Sequence, residues 1–151
     1  MKWFYVIIAC LWLFAACNDA EEDTAANRTT GYSDKPQTKE DSLFKDVMHD
    51  HDEGMARMGK LSVSIRQLKA KTDSLIKAKR NPETERKILE ELEYAEMAMN
   101  TWMREFNMDT LKDQANRRID YLESEKQKVA RVRSNILESI RKADSLLRRD
   151  Q

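Results

Sequence analysis

Ile88-Leu89-Glu90-Glu91-Leu92-Glu93-Tyr94-Ala95-Glu96-Met97-Ala98-Met99-Asn100-Thr101-Trp102-Met103-Arg104-Glu105-Phe106 is the most regular stretch of this chain. Within it Ile88, Leu92, Ala95, Met99, Trp102 and Phe106 follow steps of four, three, four, three and four, the period of one helix face. Leu89 and Met103 widen that stripe on one side. The spacing predicts a helix over 82–107, about 25 residues and about 37 Å long at the α-helical rise. Asn81-Pro82 stops whatever precedes it and starts this helix, with Asn81 as the cap and Pro82 at the first helical position.

Working upstream, a second stripe runs through Phe44, Met48, His51, Met55, Met58, Leu61, Ile65, Leu68, Thr72 and Leu75. Its steps of three and four predict a helix over about 41–80, capped by Asp41 or Ser42 through a backbone N–H. Lys77, Lys79 and Arg80 close it, where positive charge suits the helix dipole. Gly54 and Gly59 fall inside this helix, each costing about 1 kcal/mol against alanine. A small-residue role, admitting another helix or the Trp102 indole at close range, is the expectation, and a bend in the helix is the alternative. Downstream, Ala115, Ile119, Leu122, Val129, Val132, Ile136, Ile140, Ala143 and Leu147 predict a third helix over about 110–149, capped by Asp109-Thr110. Its seam weakens from Glu125 to Lys128. Two short connections between three amphipathic helices require antiparallel neighbours. The expected fold is all-α, an elongated antiparallel three-helix bundle of coiled-coil character over 41–151. A helical hairpin that dimerises into a larger bundle is its rival.

Composition agrees. The chain has 151 residues with 3 glycines and 2 prolines, and 27 basic residues balance 27 acidic ones. Scarce breakers and abundant Ala, Glu, Lys, Leu and Arg favour long helices. A formal net charge of zero leaves no basic field for nucleic acid. No Gly-rich phosphate loop, serine nucleophile motif or pair of histidines at HExxH spacing occurs in the sequence. The carboxylates alternate with Lys and Arg on helix surfaces, as from Glu83 to Glu91, which reads as a solvated face with i,i+4 pairing. Neither an enzyme nor a cofactor is expected.

The N-terminus carries the second strong signal. Lys2 precedes an apolar run from Trp3 to Ala16, too short at about 14 residues to span a bilayer, which takes about 20. That length, with small residues at its end, reads as a signal peptide over 1–16. Leu13-Phe14-Ala15-Ala16-Cys17 resembles the lipobox of bacterial lipoproteins, with Phe14 where leucine is commoner. The resemblance implies cleavage before Cys17, diacylglycerol on its sulfur and an acyl chain on the new amino group. Cys10 would leave with the signal and Cys17 would be acylated, so no thiol remains for a disulfide or a zinc site. Residues 17–40 read as a disordered acidic and polar tether, because they hold too little apolar surface to offset the entropy of ordering. The Asn18-Asp19-Ala20-Glu21-Glu22-Asp23 cluster resembles a surface-export tag; a solvated linker is the alternative. The expected partners are a membrane, reached through the lipid, and an envelope protein. The expected location is the outer membrane, on its periplasmic face or at the cell surface.

Two metal sets suggest themselves around Met48-His49-Asp50-His51-Asp52-Glu53. A zinc site would use His49 and Glu53, four apart on one helix face, with Asp46, and falls short of a closed four-ligand set. A soft-ion site would use His51, Met55 and Met58 with Met103 brought across by the helical hairpin, because thioether and imidazole suit Cu(I). The competing account makes these methionines flexible core fillers packed on aromatic rings.

His51-Asp52-Glu53-Gly54-Met55-Ala56-Arg57-Met58, followed by Ala98-Met99-Asn100-Thr101-Trp102-Met103-Arg104-Glu105-Phe106, resembles a family of small helical lipoproteins of Bacteroidota. That family is often labelled "viral A-type inclusion protein", a label that reflects coiled-coil similarity and carries no functional weight. The resemblance covers about Leu43 to Leu147. It implies a helical fold, an envelope location and a lipid anchor, and it assigns no activity.

Overall fold

The computed structural model describes residues 38–149, and within them three helices follow one another: α1 (Lys39–Lys77), α2 (Glu83–Glu105) and α3 (Ala115–Arg148). No strand occurs among the described residues, and every pair of helices is in contact. The signal segment 1–16, Cys17 and all of the tether before Thr38 lie outside the described residues. No described helix is long and apolar enough to cross a membrane.

Side-chain pairs fix the directions. Asp46–Lys126 and Lys60–Asp144 rise together in number, so α1 and α3 run parallel. Ser62–Glu96 with Lys71–Glu85, and Trp102–Glu125 with Glu91–Lys142, make α2 antiparallel to both. This is the expected three-helix bundle in an up-down-up arrangement. At the α-helical rise α1 spans about 58 Å, α3 about 51 Å and α2 about 35 Å.

The interior follows a heptad rhythm. On α3 the buried residues include Arg118, Leu122, Glu125, Val129, Val132 and Ile136, with steps of four, three, four, three and four. On α2 Leu92, Ala95, Met99 and Trp102 are buried, with Ile88 and Phe106 packed beside them, as the stripe predicts. These join Leu61, Ile65 and Leu68 of α1 in the main core. Each large side chain so buried contributes about 1.5–3 kcal/mol.

The first half of α1 departs from its predicted stripe. Its inward residues are Leu43, Phe44, Val47, Asp50 and Gly54. Met55 is 38% exposed, while Met48, His51 and Met58 are only partly covered. The seam therefore passes through an acid and a glycine, one step round from His51 and Met55. Gly54 leaves room for Met99: a Cβ at this position would stand 2.5 Å from the Met99 Cε, so the end of that side chain would have to swing aside. Its close neighbour is thus Met99, not the Trp102 indole. Gly59 faces nothing within 4 Å and has no packing role.

The helix ends also differ from expectation. Thr38, not Asp41 or Ser42, caps α1: its hydroxyl accepts the Asp41 N–H at 3.1 Å, and the Asp41 carboxylate accepts the Thr38 N–H at 3.1 Å. At α2 the cap falls one residue later than expected: Pro82 is the N-cap and Glu83 the first helical residue, while Asn81 Oδ1 accepts the Glu83 N–H at 3.0 Å from just outside the helix. The third helix begins at Ala115 rather than near residue 110. Asn107 Oδ1 accepts the Asp109 N–H at 2.8 Å, and Leu111 takes φ 61, in the left-handed region that ends a helix. Residues 106–114 therefore form a folded connection.

Candidate functional site

A row of rings occupies the end of the bundle where α1 starts. Phe44 and Phe106 have centroids 6.4 Å apart, Phe106 stacks on Trp102 at 4.8 Å, and Phe106 stacks on Tyr121 at 6.2 Å. The His51 imidazole lies 5.6 Å from the Trp102 ring. Polar groups hold the row in place from behind. The Trp102 Nε1–H donates to Glu125 Oε2 at 2.9 Å, and Lys128 donates to the other carboxylate oxygen at 2.8 Å. That second bond keeps the Lys128 ammonium above its ordinary range. Tyr121 accepts the Asn107 N–H at 3.0 Å and donates its own O–H to the Asn107 carbonyl at 3.1 Å.

Arg118 completes the support. It is fully buried, donating Nε to Glu40 Oε1 at 3.0 Å and Nη1 to the Thr110 carbonyl at 2.8 Å, beside the Tyr121 ring at 5.8 Å. One guanidinium thereby ties the start of α1, the start of α3 and the connection between α2 and α3. Such charge-assisted bonds are stronger than neutral ones.

Between α1, α2 and this connection opens a groove of about 450 Å³ lined by Met48, His51, Trp102, Met103, Phe106 and Met108. The sequence-predicted soft-ion set divides here. His51 and Met103 share the groove, whereas Met55 and Met58 do not line it. Met58 packs against the main core instead. The imidazole Nδ1 lies 2.8 Å from Asp52 Oδ1, which assigns the ring proton to Nδ1 and leaves Nε2 as an acceptor.

The hard-ion set meets a different fate. His49, Asp50 and Glu53 bring ligand atoms within 4.8 Å of one another. Arg133 already bridges the two carboxylates, donating Nη1 to Asp50 Oδ1 at 2.6 Å and to Glu53 Oε2 at 2.8 Å. Asp46 is drawn away to Lys126 at 2.6 Å. This cluster is an internal ion pair locking α1 to α3.

A second concave surface lies between α2 and α3. Tyr94 and Met97 are 56% and 57% exposed on its wall, above a groove of about 260 Å³ that also includes Thr101, Lys128 and Val132. Further along, Lys142 donates to Glu91 at 2.7 Å, which raises the Lys142 pKa above its ordinary value. No family model, curated protein or solved structure matches this chain.

Sequence reasoning missed Asp50, Arg118, Glu125 and Arg133, because a search for apolar periodicity passes over charged residues. The available signal was the step count itself. Three residues beyond Val47 lies Asp50, and three beyond Leu122 lies Glu125.

Proposed function

We propose that this chain is a lipid-anchored lipoprotein of the bacterial outer membrane. Its helical bundle acts there as a non-enzymatic module for binding another envelope protein. Two features support the reading at its two ends. The Leu13–Cys17 lipobox resemblance supplies the anchor, and three acyl chains exceed the two lipid signals that stable membrane attachment needs. The observation that carries the binding role is the Tyr94–Met97 pair on the α2–α3 face. Large apolar and aromatic side chains held in the open beside a groove are the composition of an interaction surface. The charges on either side also suit a protein partner: Glu90 and Glu105 stand out on α2, and Lys128 and Arg131 on α3.

A photo-crosslinking residue placed at Tyr94 in intact cells tests this. The reading expects a discrete adduct from Tyr94 and none from Gln67, an exposed position on α1. The absence of an adduct at Tyr94, or adducts of equal yield from both positions, would overturn it.

A further inference from the structure

The methionine-rich groove has a donor set that the interaction role leaves unused. We propose that it binds one soft monovalent cation, Cu(I) or Ag(I), through His51 Nε2 and the thioethers of Met48, Met103 and Met108.

Four soft or borderline donors reach this groove from three separate pieces of chain: Met48 and His51 from α1, Met103 from α2, and Met108 from the connection that follows. Thioether and imidazole together select Cu(I)-like ions over hard divalent ones. The hydrogen bond from Nδ1 to Asp52 gives His51 the arrangement of a metal-ligating imidazole, with a carboxylate holding the Nδ1–H and leaving Nε2 to ligate. Trp102 presents its ring beside the imidazole, and an indole face attracts a cation. Its own N–H is committed to Glu125, so the ring is held in one plane.

Charge does not dictate the ion. The groove is lined by one guanidinium, Arg104, and one carboxylate, Asp109. Arg104 donates to Thr101 Oγ1 at 3.0 Å and Asp109 pairs with Lys112. Selectivity falls to the softness of the donors. Two of the three methionines are placed for access, Met103 and Met108 being 36% and 55% exposed, while Met48 forms the floor, half-buried against Leu43, Phe44 and Leu122. A core filler would be covered, as Met99 is. The site differs from the set the sequence alone suggests by exchanging Met55 and Met58 for Met48 and Met108.

The test uses the full chain in detergent micelles with Cys10→Ser and Cys17→Ser, which removes the thiols that would compete for the ion. Its methionines carry ¹³C-methyl labels, and Ag(I) is the redox-inert probe. The methyl resonances of Met48, Met103 and Met108 are expected to shift together and saturate at one equivalent, while Met55 and Met97 stay in place. His51→Gln should weaken binding at least tenfold, and Met97→Leu should leave it unchanged. Met108→Leu removes a donor outside the core, so it tests the site without risk to folding; a several-fold loss is expected. Zn(II) should leave the three resonances unmoved. No shift with Ag(I), equal shifts of Met55 and Met97, or unaltered affinity in His51→Gln would each overturn the proposal.

Discussion

Trp102 and Glu125 make a buried bond between α2 and α3, the indole N–H donating to the carboxylate at 2.9 Å with each residue only 5% exposed. A bond to a charged acceptor contributes about 1.5–3 kcal/mol, and orphaning a buried donor costs a similar amount. Glu125 thus stands at a heptad position that an apolar residue would normally fill.

Glu125→Ala is expected to lower the unfolding free energy by about 2–3 kcal/mol, because the indole N–H loses its acceptor in the core. Glu125→Gln keeps an acceptor there and should cost about 1 kcal/mol less or better. Urea denaturation of the two variants checks this. Equal losses in the two variants would contradict a stabilising role for the hydrogen bond to the indole.

Arg133 gives a second test. It bridges Asp50, whose side chain is only 11% exposed, and Glu53. Removing it leaves Asp50 as an unmatched charge against the α1–α3 seam, and Arg133→Met should cost about 2–4 kcal/mol. Replacing both ends, Arg133→Met with Asp50→Leu, should recover most of that loss, since apolar pairs often match buried ion pairs in stability. A double variant as unstable as the single one would contradict the assignment.

The two glycines of α1 should respond in opposite directions. Gly59→Ala meets nothing within 4 Å and should gain about 0.5–1 kcal/mol from helix propensity. Gly54→Leu drives side-chain atoms into the space of Met99 and should lose about 1–3 kcal/mol through overpacking. Thermal melts followed by circular dichroism separate them. Similar shifts at both positions would mean that Gly54 is not at a close contact.

These residues also mark where the fold was legible. The α2 stripe reads correctly from Leu92 to Trp102 because every inward position there is apolar. Three helices and their up-down-up order follow from such stripes and from Asn81-Pro82. Register in the first half of α1 was hidden, because Asp50 and Gly54 occupy inward positions and carry no hydrophobic signal. His51 and Met55, one residue further on, completed an apolar pattern that the structure places on the flank. The weak seam from Glu125 onward reflects the same substitution of a polar bond for apolar packing. The late start of α3 was concealed by Asp109-Thr110, which resembles a cap but belongs to a turn closed by Asn107. Half the groove was legible, since His51 and Met103 follow from the hairpin. Met108 enters through a connection whose path no periodicity describes.

Stability should fall on the alkaline side. Lys69, Lys128 and Lys142 are held above the ordinary lysine range chiefly by the hydrogen bonds they donate to Glu93, Glu125 and Glu91. Their contribution is complete below the unfolded value of about 10.4 and disappears as pH rises through the higher folded values. Asp109 works in the opposite sense: its hydrogen bond with Lys112 lowers its pKa, so its contribution is present above the unfolded value and is lost as pH falls through the folded one. Lys69, Lys128 and Asp109 are exposed and Lys142 is half-exposed, so each effect is modest. Melting temperatures should hold up to about pH 10 and decline above about pH 10.4, and Lys142→Gln should make that decline shallower. A flat or rising profile over that range would contradict the pairing.

Membrane fractionation of cells expressing the wild-type chain beside Cys17→Ala tests the central claim most directly. The account predicts that the wild-type protein sediments with the outer membrane and is released only by detergent, while Cys17→Ala appears in the soluble fraction with its helical signal intact. Equal retention of both proteins in the membrane, or a wild-type protein that is soluble from the start, would contradict it.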